Sequence, residues 1–206
     1  ALSTNFKPTG LYASMPYYPA RGDIASAKAL LDSAGIKPDA NGVRIRAILD
    51  LIPYGEDWRR AGEYLKQVLG DIGIKLELRY EDVPTWLKRI YHNYDFVMNV
   101  NYFYQLPDPV LGVHRHYGTD QIRKGTHFVN SSRYSNSELG ELLASGATEA
   151  NAQKRTQIYK KIQEILARDM PVVNLFELQF LTVYNTNLKG AYNSALGAYA
   201  SFSEAY

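Results

Sequence analysis

The sequence predicts an α/β fold with a mostly parallel sheet flanked by helices, and two observations carry that prediction. Segments with strand periodicity alternate with segments of helical periodicity between residues 23 and 117. Because strand–helix–strand units at this spacing form right-handed crossovers, the strands should lie parallel in one sheet. The carboxyl ends of these strands should then gather at one edge, where ligands bind in open α/β sheets.

Composition limits the function classes that fit. The chain has 206 residues, of which 46% are hydrophobic, which is enough for one large domain or two small ones. Its net charge is only +2 and its Lys and Arg residues are dispersed, which argues against nucleic acid as a partner. The absence of cysteine excludes disulfides, thiol catalysis and Cys-based metal sites. The 17 tyrosines are typical of adaptable binding surfaces.

In the first half of the chain, the spacing of apolar residues, together with capping and turn residues, predicts the helices and strands. Asp23 should cap a helix that Gly35 ends, because it precedes a run with helical spacing. The next strand is apolar on both faces near Ile48, which predicts a central, buried position. The elements that follow the Gly35 turn are a strand at 43–52, a helix at 56–69, a strand at 74–80 and a short helix begun by Asp82 and Pro84.

The stretch Asp95–Tyr117 organises the chain. Its first part alternates like a strand from Phe96 to Phe103, and we expect this strand to be covered on both faces. An aromatic turn, Tyr102-Phe103-Tyr104-Gln105, follows, and Asp108 with Pro109 should begin a new helix. Because this turn comes directly after a strand, it is either a ligand-binding wall or a cover for the core.

The second half is more helical. Residues 118–135 are irregular, Asn136 should cap a helix that ends near Gly146, and a longer helix should run from Asn151 to Arg168 before Pro171 stops it. Two further strands are expected at 172–175 and 178–184, with loops from residue 185 onward. Residues 1–22 lack periodicity and resemble an internal connector.

Motifs for common chemistries are missing from the sequence. It has no phosphate-binding GxxxxGK[ST] or GxGxxG loop and no GxSxG nucleophile elbow. Four acids, Glu56, Asp57, Glu81 and Asp82, fall at predicted strand ends. We assign Asp57 and Asp82 to helix N-termini, where a negative charge is stabilising.

The histidines give one metal-like cluster. His114, His116 and His127 are its members, but residues two apart on a helix point in different directions. We therefore expect no metal site and assign these side chains to a helix surface or a polar pocket.

Several stretches, in order, resemble the family 5 extracellular solute-binding proteins of bacterial ABC importers, the class that binds peptides, oligopeptides and nickel. They are DIASAKALLDSAG at 23–35, the helix–strand unit at 64–80, NSSRYSNSELGELL at 130–143, AQKRTQIYKKIQEILARDMPVV at 152–173, and the return segment at 183–190. The resemblance implies a periplasmic-binding-protein-like (type II) lobe.

Members of this family have two lobes, and this chain resembles the second lobe with most of the first missing. The resemblance implies a hinge segment at 1–22, the ligand-binding lobe at 23–175 and a return segment toward the first lobe at 176–206. It also implies an exported, periplasmic, monomeric binding protein without cofactor or catalysis. Its partners would be a small solute, the other lobe and the permease subunits of an ABC transporter.

In peptide-binding members of the family, an aspartate in the aromatic turn captures the ligand's amino terminus. Here Gln105 stands at that position, and a neutral amide cannot form the ion pair. The resemblance therefore leaves a peptide, a sugar-like solute or an aromatic solute open as ligand. The candidate ligand-binding residues are Tyr102, Phe103, Tyr104, Gln105, Asp108, His114 and Arg133. The alternative functions are an α/β hydrolase-like enzyme and a sensory or protein-interaction module.

Overall fold

A computed structural model describes residues 22–104, 108–176, 178, 183–190, 202–203 and 205–206. These residues fall into two compact units, divided between Asn174 and Leu175. The expected hinge at 1–22 lies outside the described residues except for Gly22. None of the helices in the described ranges is both long and apolar enough to cross a membrane.

The first unit is built on a parallel sheet of three strands, as predicted. The strands are β1 (Ile45–Leu51), β2 (Ile74–Arg79) and β3 (Met98–Val100), in the spatial order β2–β1–β3. In the register, Ile45 lies opposite Ile74, and Leu49 lies opposite Met98. The prediction that β1 is the central strand is confirmed.

The described part of the first unit also contains six α-helices. They are α1 (Ile24–Ser33), α2 (Glu56–Gly70), α3 (Val83–Leu87), α4 (Val113–Tyr117), α5 (Ser137–Thr148) and α6 (Ala152–Asp169). A π-helical segment, Lys88–Asn93, continues α3, and 3-10 turns span Pro109–Leu111 and Thr119–Gln121.

Side-chain caps fix where four of these helices begin. Three predicted helix starts, Asp23, Asp82 and Asn136, each accept a hydrogen bond from the backbone N–H three residues ahead. Asn151, which was expected as the first residue of its helix, also acts as such a cap. Each cap satisfies an N–H group that has no partner within the helix.

Two hydrophobic cores hold the first unit together. The first lies on the sheet and contains Leu49, Leu51, Ile52, Trp58, Leu76, Trp86, Ile90, Tyr91, Val100 and Val129. The second lies among α4, α5 and α6 and contains Val113, Tyr117, Leu139, Leu143, Tyr159, Ile162, Ile165, Leu166 and Ala167.

Asn130 organises the irregular segment between the two cores. Its buried side-chain amide donates to the carbonyls of Gly118 and Tyr134, at 3.0 and 2.9 Å. Its side-chain oxygen accepts from the Ser132 hydroxyl and the Tyr134 backbone N–H. One amide therefore holds three parts of a loop that has no regular secondary structure.

Several predicted elements are wrong in extent. The strand expected from Phe96 to Phe103 is limited to Met98–Val100, and Val97, which precedes it, is 72% exposed rather than covered. The single helix expected after Asp108 is instead a 3-10 turn and then α4, because Gly112 has a non-helical φ of −145°. Residues 172–175 form no strand.

The second unit, from Leu175 onward, is described in part. Within it, the backbone N–H of Lys189 donates to the carbonyl of Tyr206, and the N–H of Tyr206 donates back. The strand predicted at 178–184 lies mostly outside the described residues, at 179–182.

Candidate functional site

Four aromatic rings gather just beyond the carboxyl ends of β1 and β3. Tyr54 follows β1, Trp58 lies in the first turn of α2, and Tyr102 and Tyr104 follow β3. The Tyr102 ring stacks on Trp58, with centroids 5.4 Å apart, and meets the edges of Tyr54 and Tyr104 at 5.8 and 5.6 Å. We call Tyr54, Trp58, Tyr102 and Tyr104 the aromatic cluster.

The aromatic cluster has a buried base and an exposed outer layer. Trp58 is buried, Tyr102 is half-buried, and Tyr54 and Tyr104 are 41% and 44% exposed. Burial, with a smaller contribution from Tyr102, raises the pKa of Tyr54, so this phenol stays neutral at physiological pH. The cluster therefore presents flat apolar faces together with neutral hydroxyl groups.

The sequence placed only part of this cluster in the site. Tyr102 and Tyr104 were predicted candidates, whereas Tyr54 and Trp58 were not. The rule that selected the turn after β3 applies equally to the turn after β1, so position alone could have found Tyr54. Gln105, the remaining candidate of the aromatic turn, lies outside the described residues.

Phe103 contacts a different partner from its two tyrosine neighbours. Its ring lies against the buried ring of His116 on α4, with centroids 3.7 Å apart. Burial lowers the pKa of His116 to about 3, so its imidazole is neutral. Phe103 thus ties the aromatic turn to α4.

Asp108 serves the fold of the turn. It accepts a hydrogen bond from the Val110 N–H, as the predicted capping role requires, and its two oxygens accept from Arg155 on α6. The hydrogen bond from Arg155 lowers the pKa of Asp108, which keeps the carboxylate ionised.

His114 and Arg133 have contacts apart from the aromatic cluster. The Nε2 atom of His114 lies 3.3 Å from the carboxylate of Asp120. Arg133, whose backbone is left-handed with φ of 58°, lies over the ring of Tyr94 at 5.2 Å. Tyr94 precedes β3 and the cluster follows it, so Arg133 and the cluster belong to opposite ends of this strand.

A charged network lies where β1 and β2 end. Asp50 on β1 is fully buried, with the Nε atoms of Arg79 and Arg89 at 3.3 and 3.7 Å. Burial raises the pKa of Asp50 to about 6, although both guanidinium groups oppose that shift. Arg89 also binds Glu81, at 2.6 Å, and Asp95. Glu81 is therefore part of this network, whereas Asp82 caps α3 as predicted.

The histidines pair in a way that the sequence did not indicate. His127 lies against His92, with 3.2 Å between their Nε2 atoms, and His92 was absent from the predicted histidine cluster. Within the described part of the chain, no group of three or more His, Cys, Asp or Glu side chains could hold a metal ion.

The amino-acid sequence of this chain matches a known protein family. Residues 2–124 match the family model for bacterial extracellular solute-binding proteins, family 5 Middle. The peptide transport periplasmic protein SapA of Haemophilus influenzae is 23% identical over 151 residues, which cover 71% of this chain and 26% of SapA.

Solved structures support the fold. A mannohexaose-bound periplasmic oligopeptide-binding protein of Thermotoga maritima has a TM-score of 0.65 and 24% identity, covering 75% of this chain and 32% of its own. A dipeptide-binding protein of Pseudoalteromonas sp. SM9913, in complex with Met-Leu, has a TM-score of 0.68 and 19% identity, covering 79% and 31%.

The chain spans about a third or less of the length of these relatives. The solved structures confirm the periplasmic-binding-protein-like fold that the sequence resemblance implied. The family match extends over more than half of the chain, and on that ground the chain belongs to the bacterial extracellular solute-binding proteins of family 5.

Proposed function

We propose that this chain is the second lobe of the solute-binding component of an ABC-type importer. The observation that carries the proposal is the aromatic cluster, whose exposed outer tyrosines lie beyond the carboxyl ends of β1 and β3. That edge is the general ligand position of open α/β sheets. Membership of a solute-binding family supports the same function.

The chemistry of the aromatic cluster favours an uncharged or aromatic group on the solute. Tyrosine and tryptophan rings offer apolar faces to sugar C–H groups or aromatic rings, and tyrosine hydroxyls supply hydrogen bonds. The four cluster residues include no Asp, Glu, Lys or Arg, and in the sequence the neighbouring Gln105 is a neutral amide. Asp108 is already bound by Arg155, which leaves it poorly placed to capture an amino terminus.

The similar proteins justify testing two ligand classes. The Thermotoga maritima protein is bound to mannohexaose, and the Pseudoalteromonas protein is bound to a dipeptide. Our proposal ranks sugar-like and aromatic solutes ahead of free peptides.

The whole receptor would bind its solute between two lobes. The lobe at 23–175 would close on its ligand against the other lobe, with 1–22 and 176–206 as the hinge and return segments. Hinge closure around a solute is an established motion of periplasmic binding proteins. The closed receptor would act in the periplasm as a monomer, without catalysis, and would deliver the solute to the permease.

A thermal-shift screen of the receptor that contains this chain tests the proposal. The panel holds oligosaccharides, aromatic acids, opines, short peptides and nickel. A ligand at about 100 times its dissociation constant should add roughly 2.7 kcal/mol of stability. A shift with an oligosaccharide or aromatic solute supports the proposed ligand class, whereas a shift with peptides alone contradicts it. No shift with any class argues against the receptor function.

A matched pair of variants ties any shift to the aromatic cluster. Tyr104→Ala removes an exposed ring of the cluster, and Tyr64→Ala removes a 65% exposed ring from the surface of α2. We expect Tyr104→Ala to reduce the ligand-induced shift and Tyr64→Ala to leave it unchanged. Equal shifts in both variants would place the ligand elsewhere.

A further inference from the structure

We propose that His92 and His127 form a binding site for a divalent transition-metal ion. Their Nε2 atoms approach to 3.2 Å, and both side chains are exposed to solvent. Imidazole nitrogen is a common protein ligand for such ions. The site is separate from the aromatic cluster and does not depend on the proposed import function.

The distance between the two nitrogens fits a shared metal ion. Two imidazole nitrogens bound to one ion at about 2.0–2.1 Å lie about 2.9 Å apart at a right angle and about 3.4 Å apart in a tetrahedron. The observed 3.2 Å lies between these limits. Binding would keep the two nitrogens near their present separation and would need both exposed rings to rotate until their Nε2 lone pairs converge on the ion.

The proton balance is simple. At this distance one Nε2 donates an N–H···N hydrogen bond to the other, so one of the two Nε2 atoms carries the hydrogen. When the metal binds, that ring moves its proton to Nδ1 through solvent, and both Nε2 lone pairs face the ion. No proton is released overall.

The buried ring of Tyr91 holds the two histidines in place. His92 directly follows Tyr91, whose backbone carbonyl accepts a hydrogen bond from the Gly125 N–H at 2.8 Å. The ring of Tyr91 also contacts the ring of His127, with centroids 5.8 Å apart. One histidine is thus the chain neighbour of Tyr91 and the other packs on its ring, and Tyr91 is only 1% exposed. This support limits the conformational entropy that the two histidine side chains lose when a metal ion binds.

The backbone on each side of the pair adopts uncommon conformations. His92 lies in the π-helical segment Lys88–Asn93, and such segments occur frequently at functional sites. Phe128, next to His127, has a left-handed φ of 56°. A bulky residue in that region is a strained feature of the kind that clusters at ligand sites.

The two imidazole ligands favour particular divalent metal ions. Imidazole suits Cu²⁺, Ni²⁺ and Zn²⁺, whereas Mg²⁺ and Ca²⁺ prefer oxygen ligands. For a given nitrogen site the affinity should be highest for Cu²⁺, and both Ni²⁺ and Zn²⁺ should bind more weakly. Two protein ligands leave the other coordination positions to water.

Titration calorimetry of the full 206-residue chain, without a histidine tag, tests the site. The probes are Cu²⁺, Ni²⁺, Zn²⁺ and, as a hard-ion control, Mg²⁺. We expect one Cu²⁺ ion to bind per chain. Either His92→Gln or His127→Gln should weaken its binding by about tenfold or more, because even the loss of a residue that only supports a metal ligand has an effect of that size. The double variant should lose little more than either single variant.

His114→Gln is the matched control, because it removes a half-buried histidine that faces Asp120. Its Cu²⁺ affinity should equal that of the unmodified chain. Equal Cu²⁺ binding by all five proteins, or no binding by the unmodified chain, would overturn the proposal and leave only a hydrogen-bonded pair.

A second readout identifies the ligand atoms directly. In nitrogen-15 NMR spectra of the imidazole rings, Zn²⁺ should shift the Nε2 resonances of His92 and His127 together. The resonances of His114 and His116 should stay in place. Shifts confined to His114 or His116 would overturn the assignment.

Discussion

Arg155 on α6 holds Asp108, 47 positions earlier in the chain, by two hydrogen bonds from one guanidinium nitrogen. Its Nη2 atom donates to Oδ1 at 2.8 Å and to Oδ2 at 3.0 Å. The Nε atom of the same side chain donates to the carbonyl of Gly146 in α5, and the guanidinium lies over the ring of Tyr159. One arginine therefore connects the turn after the aromatic cluster to α5 and α6, two of the helices that form the second core.

Arg155→Lys should destabilise the chain although it keeps the positive charge. Lysine cannot reproduce a planar fork that reaches Asp108 and Gly146 at once. We expect the free energy of unfolding to fall by about 1–2 kcal/mol, since both side chains are partly exposed and the pair is partly screened. Urea unfolding at pH 7 measures the change.

Arg60→Lys is the control for this substitution. Arg60 forms an exposed ion pair with Glu56 one helical turn away, with 3.8 Å between the nearest atoms. Its loss should change stability by less than about 0.5 kcal/mol. Equal changes in the free energy of unfolding would mean that the Asp108–Arg155 contact stabilises the chain no more than an exposed ion pair does.

Two helical glycines should respond in opposite directions to alanine. A Cβ atom at Gly62 would lie 2.5 and 2.9 Å from the two methyl carbons of Leu51, so α2 and β1 must separate or Leu51 must repack. Gly62→Ala should therefore cost about 1–3 kcal/mol. Gly140 in α5 has no neighbour within 4 Å of such an atom, and Gly140→Ala should stabilise the chain by about 0.5–1 kcal/mol.

Thermal unfolding of the two alanine variants measures both effects. Destabilisation by both substitutions would contradict the assignment of Gly140 to open space. Stabilisation by both would contradict the close approach of α2 to β1.

The sequence predicted the helix and strand features that depend on residues close together in the chain. The helix starts at Asp23, Asp82 and Asn136 and the central position of β1 followed from residue types and periodicity. The end of β3 did not, because it depends on a tertiary contact. The side-chain amide of Asn101 donates to the Tyr91 hydroxyl, and its oxygen accepts from the Tyr102 N–H, which competes with further strand pairing.

Only half of the aromatic cluster was predicted from the sequence, for a similar reason. The aromatic turn after β3 was visible because it directly follows strand periodicity. The stacking of Trp58 on Tyr102 requires β3 to lie beside β1, a strand order that no local pattern encodes. The contact of His92 with His127, 35 positions apart, depends in the same way on how Tyr91 packs.

Asp50 should make stability depend on pH in an unusual direction. Burial raises its pKa from an ordinary value of 3.8 to about 6 in the folded chain. The folded state therefore binds this proton more tightly than the unfolded state, and the free energy of unfolding falls as pH rises from about 4 to about 6. A shift of this size corresponds to at most roughly 3 kcal/mol.

Asp50→Asn removes this titration without changing the size of the side chain. Urea unfolding of both proteins at pH 4.5, 5.5 and 7.5 isolates the effect, because every other carboxyl group is shared. The stability of the variant relative to the unmodified chain should increase with pH across this range. A constant difference would show that Asp50 titrates near its ordinary pKa.

Asn130→Asp should be strongly destabilising although the two side chains have the same shape. The amide of Asn130 donates to the carbonyls of Gly118 and Tyr134, and a carboxylate would face both oxygens without a donor. Burying that charge should cost about 3 kcal/mol or more at pH 7. The penalty should shrink at lower pH, because a protonated carboxyl can donate to one of the two carbonyls.

Asn151→Asp is the matched control for this substitution. Asn151 is an exposed cap of α6 that only accepts from the Lys154 N–H, a role that aspartate fills equally well at a positive helix end. We expect its stability to stay within about 0.5 kcal/mol of the unmodified chain or to rise slightly. Urea unfolding at pH 5 and pH 7 separates the two positions, since only the buried site should combine a large penalty with partial recovery in acid. Equal, pH-independent effects at both sites would mean that Asn130 is replaceable by any group that accepts hydrogen bonds, and that its two donated bonds do not hold the loop.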